Sequence, residues 1–176
     1  MPLRRSDSGT TSPVKQRDLL KRKPRVRQML DSDMRWLWAA YQLGMWRELM
    51  DSGMTQPAFT DRAFEVIAAS SYDWMLEAKG EEGVRPVALI LANKVGRGLE
   101  PYVEWFPWAS NRNKLEATAV FLKEIAKQHK IFVFAEEKSE GFWVKFIRYG
   151  MIRRGCKVLD YFSRGEHAML YYTVGV

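Results

Sequence analysis

The run Val87-Ala88-Leu89-Ile90-Leu91-Ala92 constrains this chain more than any other stretch. Continuous apolar residues behind Pro86, with no polar alternation, describe a strand covered on both faces. Such a strand needs a layer of structure on each side, so the remaining sequence has to supply helices that pack against a sheet. Asp31, Ser32 and Asp33 are residue types that cap a helix N-terminus and suit its positive end. Behind them Trp36, Ala39, Ala40, Leu43 and the stretch 45–49 recur at helical intervals, which predicts a helix over 33–50 that Asp51-Ser52-Gly53 can end. A second helix is expected to start near Thr60-Asp61 and to bury Phe64, Ile67 and Ala68. Residues 111–130 form an amphipathic pattern, with Leu115, Leu122, Ile125 and Ala126 opposite Lys123, Glu124, Lys127 and Gln128. Residues 141–152 place Phe142, Phe146 and Gly150 at four-residue steps and predict a further helix.

Strand patterns fill the intervals. Residues 25–30 alternate polar and apolar, 84–95 contain the apolar run, and 99–108 are rich in β-branched and aromatic side chains. Residues 72–77 fit a strand or a helix equally well. Residues 131–135 are short and apolar, and 157–162 and 166–174 alternate around the turn Ser163-Arg164-Gly165. The resulting order, β-α-α-β-β-β-α-β-α-β-β, is that of an α/β (α+β) domain. It implies a central mixed sheet of about 6–7 strands flanked by about four helices.

The formal charge of +7 is concentrated at one end. Arg4, Arg5, Lys15, Arg17, Lys21, Arg22, Lys23, Arg25 and Arg27 face only Asp7 and Asp18 within residues 1–27, and the remainder is balanced. We therefore divide the chain into a basic, flexible arm, residues 1–23, and a domain, residues 24–176. A basic arm of this kind binds phosphates such as those of DNA by counterion release, docks on an acidic protein, or stays solvated. The nine basic residues are its candidate contacts. The lone Cys156 has no internal disulfide partner and no neighbouring His, so it reads as a bystander. His129 and His167, both among polar neighbours, read as solvated, and no zinc-site spacing occurs, so no metal is expected. With no long apolar run and no apolar segment behind the N-terminal charges, neither a membrane span nor a secretory leader is expected.

The element order resembles the GNAT N-acetyltransferases over about residues 24–175, and two local features add to the likeness. The long helix at Asn111 follows the strand that carries Glu104, where that family places its acyl-CoA pyrophosphate loop. FIRYGM at 146–151 ends a late helix in Gly-Met, where the family commonly has Tyr, three residues, then Gly-Phe. The family's loop reads Gln/Arg-x-x-Gly-x-Gly/Ala, small residues letting backbone amides approach a diphosphate at a helix N-terminus. The superposed segment here is Arg112-Asn113-Lys114-Leu115-Glu116-Ala117, with Leu115 in place of the central glycine. Leu115 also fits the apolar face of its helix, where its simplest role is packing. The family's leaving-group acid, a Tyr four residues before the late Gly, is matched by Phe146, which has no proton to give; Tyr149 lies nearby but is rotated from that position. Glu104, between Val103 and Trp105, matches a carboxylate general base, and burial would raise its pKa. Alternation equally allows it to face solvent.

VEWFPWASNR at 103–112, GFWVKFIRYGMIRRG at 141–155 and GEHAMLYYTV at 165–174 resemble degenerate GNAT-like proteins of tailed-bacteriophage virions. That resemblance implies a non-catalytic structural protein, internal to the virion or associated with the head–tail region and assembled in the host cytoplasm. Its partners would be other virion proteins and, through the arm, DNA, with no cofactor. Trp105, Phe106 and Trp108 around Pro107 fit a contact surface, or a core around an irregular strand end. The alternative is an acetyl-CoA-dependent N-acyltransferase. Glu104 would then be the base, with Tyr149 beside the acid position and residues 112–117 as the cofactor segment.

Overall fold

The computed structural model describes residues 24–96, 98–125, 127–136, 158–164 and 167–172. β1 (Arg25–Gln28) leads through a short 3-10 turn (Asp31–Asp33) into α1 (Met34–Gln42) and α2 (Gln56–Ala68). β2 (Tyr72–Gly80), β3 (Gly83–Val95) and β4 (Gly98–Trp105) follow, then α3 (Asn111–Ile125), β5 (Lys130–Glu136), β6 (Val158–Arg164) and β7 (His167–Tyr172). β1 to β4 are antiparallel neighbours. β4 pairs in parallel with β5, and the sheet order runs β1-β2-β3-β4-β5-β7-β6. The residues of the helix expected at 141–152 lie outside those described, as do Cys156 and the arm.

The apolar run does what its composition requires. Ala88 and Ile90 enter one core with Leu76, Ala78 and Ile131, roofed by Ala117, Ala119, Phe121 and Leu122 of α3. Leu89 and Leu91 point the other way and join Met75 under Leu37, Ala40, Phe59, Ala63 and Ile67 of α1 and α2. Pro86 lacks an amide hydrogen, and the β2–β3 register slips there, with Leu76 opposite Ala88 but Glu77 opposite Pro86. The carbonyls near the slip are taken by the end of β4: Phe106 N–H donates to Val87 at 2.9 Å and the Trp108 indole to Pro86 at 2.7 Å.

Two helix boundaries differ from expectation. α1 stops at Gln42 because Gly44, at φ +101°, turns the chain left-handed. Gly44 N–H then bonds Tyr41 O, and Met45 N–H bonds Ala40 O, each at 2.9 Å, a Schellman closure. The helical spacing at 45–49 comes instead from a turn that buries Met45 and Trp46. α2 starts earlier than Thr60, because Thr55 caps it through Ala58 N–H and Pro57 suits its first turn. Its buried stripe is therefore Phe59, Ala63 and Ile67, whereas Phe64 and Ala68 are exposed. Residues 72–77, ambiguous in sequence, are strand.

At the sheet edge, Arg27 bonds Asp33 and Glu77, and Arg25 also pairs with Glu77. Both carboxylates are buried. The two arginines counted with the arm are thus held by carboxylates of the domain.

Candidate active-site cleft

β4 presents two faces. Val103 and Trp105 turn to the α3 side and pack on its core. Tyr102 and Glu104, at the alternate positions, turn to the side covered by the α1–α2 connection. There a cleft of about 440 Å³ is walled by Trp46, Arg47, Glu48, Tyr102, Glu104 and Pro107 among others. The connection is held in place by Tyr41, whose hydroxyl donates to Asp51 O at 2.6 Å and accepts Met54 N–H at 3.1 Å. A larger cleft of about 590 Å³ lies across Gly44 and Arg47, walled by Trp38, Tyr41, Met50 and Met54. In the smaller one a phenol and a carboxylate are hydrogen-bonded to each other, Tyr102 to Glu104.

Glu104 is half-buried. Burial raises its pKa, the hydrogen bond from Tyr102 opposes that rise, and the charge of Glu48 adds to it. The result is a carboxylate shifted above its ordinary value. Tyr102 Oη donates to Glu104 Oε1 at 2.6 Å, and this bond, with burial, pushes the phenol up to about 12. Trp46, which also walls the cleft, sits at φ +61° with its indole Nε1 buried and without a hydrogen-bond partner among the described residues.

Beyond Glu104 the chain turns through Phe106 to Ser110 into α3. Ser110 Oγ accepts Asn113 N–H at 3.1 Å, and Lys114 N–H makes the first helical bond, to Ser110 O, at 2.9 Å. Among the described residues the amides of Asn111 and Arg112 have no such partner at this positive helix end. The segment 112–117 is therefore not a loop: it forms the first two turns of α3. Leu115 packs on the α3-side core, as its place on the apolar face implied. Its bulk is turned into the core, and the unbonded amides precede it. Arg112 and Glu116 pair at 2.8 Å along the helix. Beside this helix end the sheet opens. Among the described residues β4 and β5 pair only at Gly98–Lys130 and Leu99–Ile131, and β4 from Glu100 onward has no partner on that side.

Other expectations resolve by position. Phe106 is buried, and Trp105 and Trp108 pack against the two cores, which makes this cluster core rather than contact surface. His129 is half-buried, edge-on to Tyr72 with ring centroids 5.2 Å apart, instead of solvated. Phe146, Tyr149 and the arm residues from Arg4 to Lys23 lie outside the described residues. Sequence reading passed over Tyr102, Arg47 and Glu48. The period-two spacing of Tyr102 and Glu104 was the available signal for the first, whereas nothing local marks the other two.

No protein family's sequence profile matches this chain, and no curated protein does. Its shape does have neighbours among solved structures. A chimera of the spermidine N-acetyltransferase SpeG from Vibrio cholerae and hSSAT superposes with a TM-score of 0.53 at 11% identity, over 86% of this chain and 96% of that one. A single-site mutant of the Vibrio cholerae enzyme gives 0.52 at 10% identity, over 85% and 92%. A domain from Methanocaldococcus jannaschii gives 0.51 at 12%, over 85% and 97%. Two of these three carry an acetyltransferase activity in their names, against the expectation of a non-catalytic virion protein. The phage resemblance finds no support among them. At these identities the likeness establishes the fold, and the fold of this chain is GNAT-like, mixed α/β.

Proposed function

We propose that this chain is an N-acyltransferase that moves an acyl group from an acyl-CoA thioester to an amine, with Glu104 as general base. The observation that carries this reading is the position of Glu104. It is half-buried, raised in pKa, and set in a cleft on the strand that parts from β5 beside the start of α3. When bound, acyl-CoA supplies the activated acyl group. The residues present fit its diphosphate: the amides of Asn111 and Arg112, unbonded among the described residues, stand at a positive helix end. The edges of β4 and β5 that are unpaired among the described residues suit an extended amide-bearing arm.

The work of the protein is then electrostatic and positional. An amine in the cleft arrives as an ammonium, which the carboxylates of Glu104 and Glu48 attract. Glu104 takes its proton, the freed lone pair forms the N–C bond at the thioester carbonyl, the C–S bond breaks, and the nitrogen sheds its second proton to solvent. The departing thiolate takes a proton, which Phe146 cannot give; Tyr149, three residues further along the sequence, is the proposed donor and regains its proton from solvent. A base whose pKa has been raised towards the working pH is the better proton acceptor.

The test is thiol release from acetyl-CoA across a panel of primary amines and polyamines. Glu104→Gln should lower kcat by about 10²–10⁴-fold with little change in acetyl-CoA affinity by calorimetry. Equal rates for the two proteins would remove Glu104 from the mechanism, and no heat with acetyl-CoA would remove the reaction.

A further inference from the structure

The carboxylate of Glu104 is held on one side only. Oε1 accepts from the Tyr102 hydroxyl at 2.6 Å, while Oε2 has no partner among the described residues. Both residues rise from the same face of β4 two positions apart, and Leu91 and Leu89, their partners on β3, offer no polar group. The other charged residues lining the cleft are Arg47 and Glu48 from the α1–α2 connection, and Glu100 lies outside it, further along the same face of β4. Tyr102 is 54% exposed, so its ring is not there chiefly to fill a core.

We propose that Tyr102 is the positioning residue of the base: its hydroxyl fixes one oxygen of Glu104 and leaves the other free to receive the substrate's proton. This rests on the acyltransferase reading and extends it to a residue that acts through Glu104. A carboxylate tethered at one oxygen has one orientation relative to the cleft, whereas a free one rotates about its last torsion and spends time turned away. The same bond stabilises the charged form. Tyr102 and Glu48 therefore push the proton affinity of Glu104 in opposite directions, down and up respectively.

The experiment compares wild type, Tyr102→Phe and Glu48→Gln in two measurements. Carbon-13 NMR of labelled glutamate carboxyls, with Glu104→Gln for assignment, gives the titration midpoint of Glu104 in the full chain. The pH profile of kcat/KM with acetyl-CoA and an active amine gives its kinetic counterpart. Tyr102→Phe should raise both midpoints and lower kcat by up to about 10²-fold, with the KM for acetyl-CoA unchanged. Glu48→Gln should lower both midpoints. A tyrosine that merely supports the fold would alter thermal stability and leave the midpoints in place. An unmoved Glu104 midpoint in Tyr102→Phe, with wild-type transfer intact, overturns the positioning role and spares the acyltransferase reading. Absence of transfer in wild type overturns that reading, and the positioning role falls with it even if the NMR midpoints move.

Discussion

The terminal nitrogens of Arg27 close on the two oxygens of Asp33 at 2.7 and 2.8 Å, while its Nε reaches Glu77 at 2.8 Å. One guanidinium thus answers two buried carboxylates, one on the turn before α1 and one on β2. Removing it takes the cation from Asp33 and leaves Glu77 with Arg25 alone. Arg27→Met should cost about 3–5 kcal/mol in a urea unfolding experiment, as expected for breaking a buried pair from one side. A loss under about 1 kcal/mol would mean the cluster behaves like a surface ion pair.

The same cluster sets an acid limit on stability. Burial alone would raise the pKa of Asp33, but the hydrogen bonds from Arg27 and from Leu30 N–H outweigh it and hold the carboxyl below its ordinary 3.8. An acid depressed on folding contributes stability that is full above its unfolded value and is lost as pH falls through the folded one. The contribution of Asp33 to unfolding free energy should therefore hold steady above about pH 5 and decline below about pH 4. Asp33→Asn should be less stable at neutrality and show a shallower acid decline. Parallel acid limbs for the two proteins would exclude Asp33 as a source.

Gly44 is required by geometry rather than by composition. At φ +101° a side chain is strained, and a Cβ would meet the Arg47 guanidinium at 2.6 Å. Gly44→Ala should cost about 1–3 kcal/mol and displace Arg47, which walls both clefts. Differential scanning calorimetry measures the first effect. A raised KM for the amine at constant KM for acetyl-CoA reports the second.

Arg112 is mostly exposed and, among the described residues, its side chain is tied only to Glu116, so its loss should leave the fold intact. If it helps hold a diphosphate, Arg112→Gln should raise the KM for acetyl-CoA about tenfold, the equivalent of one charge-assisted hydrogen bond. The KM for the amine should not move. Unchanged acetyl-CoA kinetics would take the guanidinium out of the cofactor site.

Much of the architecture was legible because it depends on period. The unalternated run at 87–92 implied two covered faces, and the structure fills them with separate cores. Leu115 was readable as packing from its helical face. Boundaries were less legible. Residues 45–49 have helical spacing, yet Gly44 ends the helix before them, because one left-handed residue outweighs several apolar repeats. Phe64 had the right spacing for a core residue, but the Thr55 cap sets the rotation of α2 and gives the buried stripe to Phe59, Ala63 and Ile67.

The candidate site divides in the same way. Sequence alone identified Glu104 as a carboxylate inside an apolar strand and marked the start of the helix after it, since both are local properties. It could not choose between cleft and solvent for Glu104, because alternation gives a face without saying what covers it. Only tertiary structure decided that, by bringing Arg47 and Glu48 across from the α1–α2 connection, more than fifty positions away in the chain. Proton affinity follows from that arrangement, since it depends on how much water is excluded and which charges stand near. Those quantities belong to the folded space around a residue and not to its neighbours in sequence.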